Sequence, residues 1–270
     1  MMGPIGFETT VRITAVLLAT HAIMMSLEHL STSYRYRDAG LISWSVVKLH
    51  ARSFRTGRLI TPALQGTRYS VVLIVQLFIG VTLLVAANGD INPILPLALL
   101  VTYTTTYFRH HVGHTGDIDM AVVVSTGLFL ATAASPRSDV ATLGLLFIGA
   151  QGALSYCIAG ISKLGSTSWQ SGAAIGNVFS TKAWGDRRVH RLFERFPSMR
   201  LVGSWSVIGF ESLFVLVLVT PFEIAIGIIA VAVGFHAFNA MTMGLNRFLI
   251  GFAASYPSIL FANSVVRSVL

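Results

Sequence analysis

The sequence predicts an all-α, polytopic transmembrane bundle of about eight helices with two amphipathic interfacial segments. Two observations carry this reading. The 270-residue chain is 54% hydrophobic and only 11% charged, with a mean hydropathy of +0.72, whereas soluble domains carry about 25% charged residues. The apolar residues also fall into blocks of membrane-spanning length, roughly 17–25 residues each. A water-soluble fold of this size has too much surface to cover with so few charges. Most side chains therefore have lipid as their solvent, and lipid-exposed spans must be helical, because lipid offers no partner for open backbone groups.

Taken in order, the blocks run Val11–Leu30, Tyr69–Ala87, Pro93–Phe108, Ile118–Ala134, Val140–Leu164, Leu201–Val219, Phe222–Met241 and Phe248–Val266. Thr220-Pro221 joins the sixth to the seventh. Two longer stretches interrupt the series. Ser31–Arg68 and Gly165–Arg200 mix arginines and lysines with apolar residues and tryptophans such as Trp44, Trp169 and Trp184. That mixture suits short amphipathic helices in the interface, with tryptophans at headgroup depth. Residues 1–270 read as one membrane domain, without repeats or low-complexity tracts.

The formal net charge is +8. The basic residues lie in a few loops instead of a separate basic domain, so membrane topology and anionic headgroups explain them, and nucleic acid is not expected as a partner. With eight helices, both basic stretches and the connections holding Arg109 and Arg247 lie on one side, opposite Arg137 and Arg267. The positive-inside rule makes that side cytoplasmic and both chain ends extracytoplasmic. The first apolar block holds Arg12, His21, Glu28 and His29 and has no clear small-residue cleavage site, unlike a cleavable signal peptide. The single cysteine, Cys157, excludes an internal disulfide and reads as a small hydrophobe.

An ionisable residue within a spanning helix costs about 2.5–3.5 kcal/mol at its centre and needs a reason. The run Arg109-His110-His111-Val112-Gly113-His114-Thr115-Gly116-Asp117-Ile118-Asp119 has three readings. It could ligate zinc or iron, supply proton-transfer or substrate-binding histidines, or form a polar turn with Asp117 near the next helix N-terminus. Lys163 is either a lysine snorkelling at a helix end or a desolvated amine able to act as a base. Glu211, near mid-bilayer, needs a partner, and Lys163 or a histidine is the natural candidate. His236 and Asn239 share a helix face, where an interhelical hydrogen bond is the plain alternative to a binding role.

Ala159-Gly160-Ile161-Ser162-Lys163-Leu164, followed by Trp169 and Gly172, resembles a motif of the vitamin K-dependent γ-carboxylase family. More closely, the chain resembles the membrane-only bacterial proteins that share that family's HTTM domain. Phe235-His236-x-x-Asn239, leading into a last helix with Phe248, Tyr256, Pro257 and Leu260, is a second point of similarity, and Leu41-Ile42-Ser43-Trp44 a weaker third. The resemblance implies that Lys163 deprotonates a quinol. It also implies that His236 and one of His110, His111 and His114 position or protonate oxygen substituents. Trp169 and Asn239 of these motifs, with the intramembrane Glu211, are expected to bind substrate. The cofactor the resemblance implies is a reduced quinone of vitamin K or menaquinol type, with no metal expected. The chemistry would be carboxylase- or lyase-like, or quinol-epoxidising oxidoreductase-like, on a lipid-soluble or peptide substrate. Two other classes compete with this expectation: a proton-coupled or lipid-substrate transport or binding module, and a membrane scaffold for a peptide-processing complex.

Overall fold

In a computed structural model, residues 5–36, 40, 43–44, 47–48, 64–110 and 116–270 are described. The protein is all-α, and no strand occurs among these residues. Its helices are α1 (Phe7–Ser31), α2 (Gly66–Ala86), α3 (Ile94–Arg109), α4 (Gly116–Ala133), α5 (Asp139–Leu164), α6 (Thr167–Gln170), α7 (Ala173–Ser180), α8 (Arg187–Arg195), α9 (Ser198–Leu213), α10 (Phe222–Met243), α11 (Asn246–Ala253) and α12 (Tyr256–Val269). A 3₁₀ turn, Ser33–Tyr36, follows α1, and another, Phe214–Leu218, extends α9.

Among the described residues, seven segments are long and apolar enough to cross a bilayer: α1, α2, α4, α5, α9 with its 3₁₀ extension, α10, and α11 with α12. The chain is a multi-pass membrane protein. Its outward side chains support this directly: Phe78 is 67% exposed, Val85 71% and Met241 86%, a large cost in water and none in lipid. The eighth apolar block is α3, which has 16 residues and so a length of about 24 Å, short of a hydrocarbon core of about 30 Å. It still packs along α2. Residues 87–93 join the two helices at one end, and His110, just past α3, meets Tyr69 in the first turn of α2 at the other.

The chain forms two compact units. The larger comprises residues 6–148 and 250–258. Within it, α1 turns a row of small residues, Ala15, Ala19 and Ala22, all fully buried, toward α2. A methyl group on Gly80 of α2 would sit 3.2 Å from both the Ala19 carbonyl oxygen and the Ala22 side chain. Small residues let membrane helices approach closely, which is where their packing energy comes from in lipid.

The other unit holds residues 149–249 and 259–270. Proline sets its helix starts, with Pro197 preceding α9 and Pro221 preceding α10. The basic stretch Gly165–Arg200 folds into the short helices α6, α7 and α8. In α8, Arg187, Arg188, Arg191 and Arg195 are exposed while Phe193 is buried against Phe179, as the amphipathic pattern predicts. Asp186 caps this helix, accepting from the Arg188 and Val189 amides at 2.8 and 3.0 Å. Where α9 tightens into its 3₁₀ turn, Asn263 of α12 donates 2.8 Å bonds to the carbonyls of Val217 and Thr220, satisfying acceptors that the broken α-pattern releases. The other basic stretch, Ser31–Arg68, lies largely outside the described residues. Of it, Trp44, Val47 and Leu64 pack together with Phe108.

Candidate functional site

In the second unit, Lys163 ends α5 and Glu211 lies in the last turn of α9. Lys163 Nζ donates to Glu211 Oε2 at 2.6 Å, with the side chains 20% and 7% exposed. Of the partners the sequence allowed for Glu211, the lysine is the one it meets. The ammonium also faces the Trp169 ring, 5.1 Å from its centroid, a cation–π contact. Trp169 is held in place because its carbonyl accepts from Ser204 Oγ and the neighbouring Gln170 carbonyl accepts from Trp205 Nε1 at 3.2 Å, fixing α6 against α9.

Two glycines make this geometry accessible. At Gly160, one turn before Lys163, a methyl group would strike the Ser212 amide and lie 2.7 Å from the Glu211 carbonyl carbon. The α5 backbone therefore rides directly on the turn that carries Glu211. Gly172, at φ 76°, turns the chain between α6 and α7, and a side chain there would lie 2.8 Å from the Arg200 carbonyl carbon. Only glycine combines that left-handed conformation with that approach at low cost. Both glycines belong to the motif read from the sequence.

His236, in α10, is 1% exposed and shares a 2.5 Å hydrogen bond between Nε2 and Tyr156 Oη. The Tyr156 ring stacks on Phe214, centroids 3.9 Å apart, and the imidazole packs against Phe235 and Phe248. Tyr156 and Lys163 are seven residues apart on one face of α5, a separation of about 10 Å. His236 thus belongs to an aromatic cluster two turns along α5 from the ion pair. Asn239 is half-buried, one turn along α10 from His236. The sequence reading missed Tyr156, although the i, i+7 spacing from Lys163 was a signal for it.

The remaining predicted histidines belong to the first unit or lie outside the described residues. His110 stacks on His29 with centroids 4.4 Å apart and shares a 2.9 Å hydrogen bond between Nε2 and Tyr69 Oη. Tyr69 Oη also lies 3.3 Å from His29 Nδ1. His111 and His114 lie outside the described residues. Arg109, read from sequence as a loop charge, is instead fully buried, with its guanidinium over the Tyr36 and Tyr69 rings at 5.3 and 5.5 Å. Arginine stacks on aromatic faces, and its weakly hydrated, delocalised charge makes this burial tolerable.

Two turns deeper on α1 is a network that the sequence reading did not assemble. His21 Nδ1 lies 2.7 Å from Tyr103 Oη, and His21 Nε2 lies 3.3 Å from Asp117 Oδ2, with His21 and Asp117 both fully buried. Asp117 was read as a residue near the helix start, and it does sit in the first turn of α4. Its partner lies 96 positions away, which helix periodicity alone does not reveal. Among the described residues, no group of three or more His, Cys, Asp or Glu side chains is placed to hold a metal ion.

No family model, curated protein or solved structure matches the chain.

Proposed function

We propose that this chain is a membrane enzyme of the kind the HTTM resemblance implies, using the Lys163–Glu211 pair as a proton-accepting unit on a lipid-soluble quinol or isoprenoid. A small peptide matured with such a cofactor is the other substrate class this chemistry serves. The observation that carries the reading is the 2.6 Å contact between amine and carboxylate beside the Trp169 ring. A buried pair of this kind costs more desolvation than a well-packed apolar pair of the same size, so its presence in lipid calls for a use.

The residues fit a ring that carries a hydroxyl group. Trp169 offers a π-face, and Ser212 Oγ, beside Gly160, is buried with no hydrogen-bond partner among the described residues. A reduced quinone bound there would supply an acidic phenolic hydroxyl. The chain's own part is proton handling. When Lys163 passes its proton to Glu211 Oε2, the amine gains a lone pair and the pair stays neutral overall. A proton taken from substrate then restores the ammonium, and Glu211 holds the proton released first. Trp169 stabilises the ammonium form, a contribution of about 0.5–2 kcal/mol. The basic side of the membrane, which includes the arginines of α8, is assigned to the cytoplasm, and both chain ends to the opposite side.

The test uses the purified, folded chain in lipid nanodiscs with menaquinol or vitamin K hydroquinone. Lys163→Ala should abolish quinol turnover and weaken quinol binding. Unchanged turnover and binding in that variant would remove Lys163 from the mechanism. A second reading, proton-coupled transport, draws support from the buried His21–Asp117 pair, because intramembrane ionisable pairs also mark proton pathways. It predicts substrate-driven proton flux in proteoliposomes that Glu211→Gln or Asp117→Asn abolishes.

A further inference from the structure

Two hydrogen-bonded clusters of the first unit hang on the same helix. The cluster around His29 includes the Tyr69 hydroxyl and His110. The network around His21 includes the Tyr103 hydroxyl and Asp117. His21 and His29 are eight residues apart on α1, so the clusters are separated by about 12 Å along its axis.

Three of the four helices that carry these clusters each hold a fully buried polar side chain, without a hydrogen-bond partner among the described residues, at a height between them. On α1 it is Ser26, between His21 and His29. On α2 it is Gln76, between Tyr69, which meets His29, and Gly80, which meets Ala19 and Ala22. On α3 it is Thr106, between Tyr103, which meets His21, and His110, which stacks on His29. All three residues are fully buried. Ser26 Oγ, Thr106 Oγ1 and both polar atoms of Gln76 have no hydrogen-bond partner among the described residues. A buried polar group left dry costs roughly 1–3 kcal/mol, and unpartnered polar atoms at intermediate heights on three helices are groups that internal water satisfies.

We propose that the first unit holds a hydrated proton relay along α1, joining the His29 cluster to the His21 network through water bound by Ser26, Gln76 and Thr106. Gln76 and the two hydroxyl side chains do not titrate in this role; they orient the water. Each water or tyrosine hydroxyl accepts one proton and releases another, so one charge moves and no other bond is made or broken. A proton arriving through Tyr103 leaves an imidazolium at His21, and the Asp117 carboxylate balances it at Nε2. Arg109, over the Tyr36 and Tyr69 rings, fixes a positive charge at the opposite end of the path. The relay stands apart from the Lys163 chemistry and does not depend on it.

The test is hydrogen–deuterium exchange at the His21 ring N–H, followed by NMR on the full chain labelled with ¹⁵N-histidine, in nanodiscs transferred to D₂O. The His21→Phe spectrum assigns the signal. In the wild type, His21 should exchange at least about tenfold faster than in Gln76→Leu, because leucine removes the water without opening a large cavity. Ser125→Ala, in α4, where the serine hydroxyl already bonds the Ala121 carbonyl at 2.6 Å, should leave the rate unchanged. If Gln76→Leu does not fold, the Ser26→Ala/Thr106→Val variant carries the same expectation. Equal His21 exchange in the wild type and in whichever of these two variants folds would overturn the relay, even if stability changes.

Discussion

Exchanging the two members of the ion pair for apolar residues, singly and together, should give strongly unequal costs. Breaking a buried pair by removing one partner typically costs about 3–5 kcal/mol, because a charge is left uncompensated. The exposures divide that cost. In Lys163→Met the abandoned carboxylate of Glu211 is only 7% exposed, so the buried-pair range applies and at least about 3 kcal/mol is expected. In Glu211→Leu the abandoned amine is 20% exposed at a helix end and can reach the interface, so about 1–2 kcal/mol is expected. The double variant leaves no orphan and replaces a desolvated pair by packing, so it should be within about 1 kcal/mol of wild type. The coupling energy, the two single costs less that of the double variant, is then at least about 3 kcal/mol. Reversible unfolding of the full chain in mixed micelles, monitored by circular dichroism, measures all four corners of the cycle. Additive single costs below about 0.5 kcal/mol would refute the reasoning, because only a solvated surface pair behaves that way.

Gly160→Ala should destabilise the fold by about 1–3 kcal/mol by forcing α5 off the Glu211 turn, and should lower any activity that depends on Lys163; thermal unfolding and turnover check both. Tyr156→Phe should cost about 1–2 kcal/mol by stripping the hydroxyl from buried His236, and a His236→Phe/Tyr156→Phe pair should recover part of it, as read from the same unfolding curves. Asp186 predicts a pH effect. The Val189 amide first, then that of Arg188, hold its carboxyl below its ordinary pKa of 3.8. The cap is therefore fully present above pH 3.8 and is lost as pH falls through the depressed value, fraying α8. Helix content should drop there in the wild type and less in Asp186→Asn, which keeps an uncharged cap.

The apolar blocks were legible because membrane length and hydropathy dictate helices without reference to tertiary contacts, and the described spans follow them closely. Lys163 and Glu211 were legible for the same reason, since a charge in such a block demands a partner. The rotation of each helix about its axis was not legible. It decides that Tyr156, and neither Lys163 nor Glu211, meets His236, and that His21 reaches Tyr103 across 82 positions. Arg109 shows the opposite limit: a charge at a block's end reads as a loop residue, whereas aromatic faces from α2 and the 3₁₀ turn after α1 enclose it. The 3₁₀ tightening after Leu213 had no sequence mark of its own, because the Asn263 amide that satisfies it is 46 residues from Val217.

The shortness of α3 bears on the lipid itself. A 16-residue helix beside α2 and α1, with 21 and 25 residues, gives this flank a hydrophobic height several ångströms below that of a typical bilayer. Lipids there must thin or the helix end must sink, at a fraction of a kcal/mol per ångström. Lipids with shorter acyl chains are thus expected to fit best at the flank where the His29 cluster lies.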